Sequence, residues 1–215
     1  MLAWLIDLVL HLNRHLAVLL GHVGIWTYPI LFGVIFAETG LVVTPFLPGD
    51  SLLFGVGALA AVDTTGTLSA PVASLVLGLA AVLGNTVNYG AGRLIGPPAF
   101  SGRYRLLKLE HLRRTESFFL RHGGKAVALS RFIPIIRTCM PFVAGVGHMP
   151  YARFQAYNVL GGFAWVLLFL WGGYFFGNVP LVKHNFGIVT LIIIAVSLIP
   201  LAMAFLRRRR SPAAP

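Results

Sequence analysis

The chain has 215 residues, of which 57% are hydrophobic and only 11% charged, with a mean hydropathy of +0.83. That composition excludes a water-soluble globular domain and fits one integral membrane domain with a handful of spans. The net charge of +11 raises nucleic acid as a partner, but the cations sit beside apolar spans, so the positive-inside rule and anionic lipid account for them instead.

Residues 1–20 interleave Leu, Ile, Val and Trp with Asp7, His11, Arg14 and His15 at helical spacing on one face. The pattern predicts an amphipathic helix lying along the membrane, with a first span as the alternative. The polar residues also argue against a cleavable signal peptide. Gly21 to Gly24 is a turn. Residues 28–61 form a long apolar stretch without Lys or Arg, yet it contains Glu38 and Asp50. Between these two, Pro45, Pro48 and Gly49 break any continuous helix. The limbs on either side, about 11–17 residues, are shorter than the ~20 that a spanning helix needs. A re-entrant hairpin is therefore predicted, entering and leaving on one side.

Residues 71–95 are the first clear span, with Asn85, Tyr89 and Arg93 near its end and Pro97-Pro98 after it. The basic stretch 101–122 reads as a second amphipathic surface helix, and Gly123-Gly124 turns into the next segment. That segment runs from Ser130 to Gly145 and puts Arg131 and Arg137 inside an apolar run, with Pro134 between them and Pro141 after them. An arginine at the centre of a membrane helix costs about 2.5–3.5 kcal/mol on insertion scales, so it requires a partner or a watery cavity. A second broken hairpin lining an anion pocket satisfies this. A kinked span with snorkelling arginines is the competing reading. Residues 151–177 are the second span and carry Asn158, Trp165, Trp171 and Tyr174, the aromatics being read as packing and interfacial anchors. A loop and a final apolar span fill 178–206, and 207–215 is a basic tail.

The four arginines at 207–210 place the C-terminus in the cytoplasm. Counting back, the Arg131 hairpin opens to the cytoplasm and the Glu38 hairpin to the outside. The order of elements then repeats, 1–96 against 97–177, with opposite insertion. Gly92 to Gly96 is echoed by Gly173 to Gly177, and Gly21 to Gly24 by Arg121 to Gly124. The expected fold is an all-α integral membrane protein built as an inverted repeat. It would have two opposed re-entrant helical hairpins, about three full spans and two amphipathic surface helices, an arrangement used by transporters.

These residues resemble the DedA family, also called the SNARE-associated or VTT-domain family. The resemblance rests on Phe36 to Gly40, Pro45, Pro48-Gly49-Asp50, Gly84-Asn85, Tyr89, Gly92 to Gly96, Arg131 to Pro134, Arg137, Pro141, Ala144-Gly145, Met149, Phe154, Asn158, Gly161 and Trp165. It spans about residues 30 to 177. It implies a bacterial inner-membrane protein linked to undecaprenyl phosphate recycling and membrane homeostasis, with eukaryotic relatives associated with lipid scrambling. It also implies that Glu38 and Asp50 are the important acids, and Arg131 and Arg137 the important arginines. The family often has Glu after Pro-Gly, where this chain has Asp50.

Arginine stays protonated and presents a planar fork of donors suited to phosphate. Glu38 and Asp50 lie about 120° apart on an ideal helix and need the break between them to converge. Desolvation favours the neutral acid and a nearby arginine favours the carboxylate, so a proton-carrying role and a permanent salt bridge both stay open. The lead function is a transporter or flippase for a lipid phosphate, either undecaprenyl phosphate or a phospholipid, with protons as a candidate coupling ion. A proton-coupled carrier of a small anion or drug and a non-transporting structural protein are the alternatives. An enzyme is disfavoured because no nucleophile–base set is visible. The seven histidines are scattered, so no metal or other cofactor is expected, and a homo-oligomer stays open.

Overall fold

The computed structural model describes residues 24–41, 49–63, 66–96, 98, 109–176 and 179, and among them every regular element is helical. A 3-10 turn at Gly24–Trp26 leads into α1 (Thr27–Gly40), followed by α2 (Gly49–Ala60), α3 (Ala70–Ile95), α4 (Leu109–His122) and α5 (Lys125–Leu129). A second 3-10 turn at Ser130–Phe132 precedes α6 (Pro134–Val146) and α7 (Tyr151–Phe176). The expected helix at 1–20, the breaks at Pro45 and Pro48, the start of the basic helix at 101–108, and the C-terminal span and basic tail lie outside the described residues.

The two long helices fall where the sequence placed spans. Each has 26 residues, about 39 Å at 1.5 Å per residue, enough to cross a hydrocarbon core of ~30 Å. Pro71 sits in the first turn of α3, where its missing donor costs nothing, and Gly96 ends the helix with φ of 64°. By contrast α1, α2 and α6 have 14, 12 and 13 residues, about 18–21 Å each. The break after Arg131 is also where it was expected. Ile133 is extended (φ −124°, ψ 102°), as the residue before a proline prefers, and α6 starts at Pro134. Pro141 is different: the expected break there does not occur, and α6 runs through it to Val146. The lost backbone bond is offset by the close packing of Phe142 and Gly145 on α3.

Contacts fix the helix directions. Gln155 meets Thr86, Asn158 meets Asn85 and Val82, and Phe163 meets Gly78, so α3 and α7 are antiparallel. Tyr28 meets Ser69 and Thr39 meets Asn88, so α1 runs with α3. Asp50 meets Trp165 and Gly57 meets Leu170, so α2 runs with α7 and against α1. In the second half, Gly124 meets Tyr157 and Ala128 meets Gly161, so α5 runs with α7. Thr138 meets Asn88 and Gly145 meets Tyr89 and Arg93, so α6 runs with α3 and against α5. Thus α2 and α6 each cross the long helix of the other half, whereas α1 and α5 pack on the long helix of their own.

Both crossings are made by paired glycines. A Cβ on Gly57 would strike the carbonyl of Leu170 and approach the amide of Tyr174, and one on Gly173 would strike the carbonyl of Phe54. In the other half, a Cβ on Gly145 would strike the carbonyl of Tyr89 and approach the amide of Arg93, and one on Gly92 would strike the carbonyl of Phe142. One constant shift in numbering carries Phe54 and Gly57 onto Phe142 and Gly145. Another carries Tyr89, Gly92 and Arg93 onto Leu170, Gly173 and Tyr174. Small residues of this kind let helix backbones touch where no hydrophobic effect drives association.

Leu31, Ile35, Leu53, Val56, Leu77 and Leu170 form the larger apolar core between α1, α2, α3 and α7. A smaller one gathers Tyr89, Met140, Ala144, Met149 and Phe154. Outside, Leu75, Leu79, Leu83 and Val87 of α3 and Leu160, Leu167 and Leu168 of α7 are exposed.

The glycine crossings yield a test. Gly57→Ala and Gly145→Ala are each expected to destabilise the fold by about 1–3 kcal/mol through overpacking. Gly90→Ala and Gly172→Ala, whose Cβ would meet nothing within 4 Å, should be tolerated. Thermal unfolding of the detergent-solubilised variants separates the two classes.

Candidate functional site

The breaks in the helices decide which charges meet. Glu38 lies in the last turn of α1 and Asp50 in the first turn of α2. Arg131 lies in the 3-10 turn before Pro134, and Arg137 near the start of α6. All four are buried, with Glu38 and Arg131 at 2% exposure.

Arg137 is the hub. Its Nη2 donates to Glu38 Oε1 and its Nη1 to Asp50 Oδ1, both at 2.7 Å. One guanidinium edge therefore holds two carboxylates from two helices. Glu38 can come this close to α2 because residue 49 is glycine: a Cβ there would overlap the Glu38 carboxylate. Gly49, expected as part of a helix break, is also the first residue of α2 and the floor beneath this acid.

Trp165 closes the cluster. It is fully buried in α7, donates Nε1–H to Asp50 Oδ1 at 2.7 Å, and lies under Arg137, whose Cζ is 4.9 Å from the ring centroid. Arg131 Cζ is 5.9 Å from the same ring. Cation–π attraction of this kind strengthens when the cation is desolvated. Read from sequence as a packing residue or interfacial anchor, Trp165 instead belongs to the charged cluster. Its position one turn beyond Gly161-Gly162, facing a broken segment rich in arginine, was the available signal.

Arg131 has a different environment. It makes no ion pair among the described residues. Its Nη2 donates to Asn158 Oδ1 at 2.9 Å and to the Ala81 carbonyl at 3.2 Å, while Nε and Nη1 have no hydrogen-bond partner there. Gly162 makes room for it, since a Cβ there would lie 3.1 Å from Nη2. A buried guanidinium with two idle donors and only neutral acceptors is costly to maintain, and its free donors are of the kind that suit an oxyanion.

The supporting residues divide. Asn85 donates to Asn158 Oδ1 at 3.0 Å, and Asn158 Nδ2 donates to the Val82 carbonyl and to Gln155 Oε1, each at 3.0 Å. Both asparagines therefore adjoin the Arg131 site. Tyr89 and Arg93 do not: the Tyr89 hydroxyl donates to the Met149 carbonyl, and among the described residues Arg93 reaches only the Tyr89 oxygen at 3.5 Å. They tie α3 to the link between α6 and α7. Asn88, which with Asn85 forms an amide pair able to hydrogen-bond across helices, does so: it donates to the carbonyls of Thr39 and Thr138, joining α1 to α6 behind the ion pairs. Gln155, unassigned from sequence, donates to Thr86 and Tyr151. It carries no charge or motif that would have marked it.

A VTT-domain family model matches residues 47–175, which include Asp50, Arg131, Arg137, Asn158 and Trp165. The chain is 48% identical over 211 residues to Protein DedA of Escherichia coli (strain K12), covering 98% of this chain and 96% of that protein. It is 39% identical over 205 residues to the uncharacterized membrane protein Rv0364 of Mycobacterium tuberculosis (strain ATCC 25618 / H37Rv), covering 90% and 88%. It is also 39% identical over 158 residues to inner membrane protein YqjA of Escherichia coli (strain K12), covering 71% and 69%. No solved structure matches the chain.

The ion-pair geometry makes a specific prediction. Arg137→Gln strands two carboxylates and should cost about 3–5 kcal/mol. Double-mutant cycles of Arg137→Gln with Glu38→Gln or Asp50→Asn should show coupling of about 1–3 kcal/mol, whereas the cycles with Arg131→Gln should be close to additive. Chemical or thermal unfolding of the eight variants measures this. Strong coupling only through Arg131 would contradict the pairing described.

Proposed function

The chain belongs to the VTT-domain family of DedA membrane proteins, and from that premise we propose that it is a transporter that carries the phosphate of a lipid across the inner membrane. Undecaprenyl phosphate is the favoured cargo and a phospholipid the second. The observation that carries the reading is Arg131, a buried guanidinium with idle donors beside an arginine already paired with two carboxylates. In this reading the phosphate binds Arg131, while Arg137, Glu38 and Asp50 form the fixed frame.

The two helix pairs, α1–α2 and α5–α6, act as re-entrant hairpins inserted from opposite faces, and residues 1–96 and 97–177 as inverted repeats. The short lengths of α1, α2 and α6, the antiparallel long helices and the matched glycine crossings support this. The basic tail at 207–210 and the printed name of YqjA support an inner-membrane location with a cytoplasmic C-terminus.

Charge balance supplies the reason for proton coupling. With both acids ionised, Glu38, Asp50, Arg131 and Arg137 sum to zero. An arriving phosphate monoanion leaves the buried site at −1, and a proton on Glu38 or Asp50 restores neutrality. Cargo and proton then travel together.

Liposomes containing the purified protein and a labelled polyprenyl phosphate should show translocation that responds to a pH gradient. Arg131→Lys keeps the charge but loses the fork and should slow transport at least about tenfold. Glu38→Gln should remove the dependence on the gradient. Transport of free phosphate with no movement of lipid would replace the lipid reading with a small-anion carrier. Cysteine labelling at Asp63 and Arg105 should report opposite faces, and the same face for both would reject the inverted repeat.

A further inference from the structure

A guanidinium offers two bidentate edges, Nε with Nη2 and Nη1 with Nη2, so Nη2 belongs to both. In Arg131 this shared nitrogen is the one that is occupied, by Asn158 Oδ1 and the Ala81 carbonyl, while Nε and Nη1 are idle. An incoming oxyanion therefore finds single donors on either side but no complete fork. To be gripped through two bonds it must displace an acceptor from Nη2. Ala81 O is main chain inside α3 and is fixed. Asn158 Oδ1 is a side-chain atom and can give way.

Asn158 is also equipped to lose Arg131. Its Oδ1 is shared with Asn85 Nδ2 at 3.0 Å, so it keeps a donor after Arg131 leaves. Its Nδ2 remains bound to the Val82 carbonyl and to Gln155 Oε1, which hold the amide in place during the exchange. A carboxylate at this position would hold Arg131 far more strongly. A neutral amide gives an acceptor that a phosphoryl oxygen outcompetes, because a charged acceptor makes the stronger bond.

Resting on the phosphate reading above, we propose that Asn158 is a latch on Arg131: its amide oxygen covers the nitrogen common to both forks, is displaced by a phosphate monoester, and falls back on Asn85. Asn158 is then a positioning residue that competes with cargo, and Asn85 is the partner that makes the exchange cheap. The latch sets affinity as a balance, tight enough to select a tetrahedral oxyanion over neutral headgroups and loose enough to release it.

The test uses the full chain in detergent, with farnesyl monophosphate as the lipid probe, inorganic phosphate as the free-anion probe and farnesol as the neutral control. Binding is read by calorimetry. Removing the competitor with Asn158→Ala should tighten farnesyl monophosphate binding several-fold. Asn85→Ala strands the displaced amide oxygen and should weaken binding roughly tenfold. Asn158→Asp, which pairs Arg131 with a carboxylate, should abolish it. If Asn158→Ala does not fold, Asn85→Ala and Asn158→Asp decide the matter. Unchanged dissociation constants in Asn158→Ala and Asn85→Ala, with binding still lost in Arg131→Lys, would overturn the latch and leave the phosphate site standing. No binding of either phosphate by the unaltered protein would overturn the phosphate reading and the latch with it. Equal affinity for inorganic phosphate and farnesyl monophosphate would uphold the latch but assign the site to a free anion.

Discussion

One guanidinium holding two carboxylates is the constraint on which the other features depend. Glu38, Asp50 and Arg137 come from three different helices, and none is cheap to bury alone. Satisfying them requires the end of α1, the start of α2 and the start of α6 to meet at one point. That requirement explains why the helices are interrupted where they are. A continuous α1–α2 would turn the two acids away from each other, and a continuous helix through Pro134 would turn the two arginines apart. Trp165 adds the fourth wall, with its N–H on Asp50 and its face under Arg137, and it fastens the cluster to a long helix.

The glycine crossings are the apolar counterpart of that polar constraint. Four helices converge on the charges, and their backbones approach without side chains between them at Gly57–Gly173 and Gly92–Gly145. Van der Waals contact over the glycine faces takes the place of a hydrophobic driving force that lipid does not supply. Polar ties fill the same role nearer the site: Asn88 joins the Thr39 carbonyl in the last turn of α1 to the Thr138 carbonyl of α6, and the Asn85–Asn158 bond joins α3 to α7.

Much of this was legible in the residues. Proline marked the starts of α3 and α6, the Pro97-Pro98 pair marked the end of α3, and apolar length identified the 26-residue helices. Charges in greasy stretches marked Glu38, Asp50, Arg131 and Arg137, because burial of a charge is expensive enough to imply a purpose. What the residues did not reveal was who pairs with whom. Charge identity alone treats the two arginines as equivalent, yet one holds two carboxylates and the other only neutral acceptors. That difference comes from tertiary placement, Arg137 nearer the two acids and Arg131 beside Asn158 and Ala81. Among the uncharged polar residues, Gln155 was silent, and Asn88 was legible as an amide able to bond across helices but not by its partners, for the same reason: an amide inside a helix reads alike whether it bridges three helices or faces a neighbour. Pro141 misled because local propensity was outweighed by packing on α3.

In the inverted-repeat reading proposed above, the two halves share a backbone plan but not a charge. The first half supplies both acids and the second both arginines, while the glycine crossings correspond residue for residue. Such a molecule cannot be assembled from two copies of either half. A pair of first halves would set acid against acid, and a pair of second halves cation against cation, each with an unneutralised core. With the charges divided in this way the two halves are complements, and joining them in one polypeptide fixes their ratio at one to one, so that every copy of the protein carries both acids and both arginines of the buried cluster.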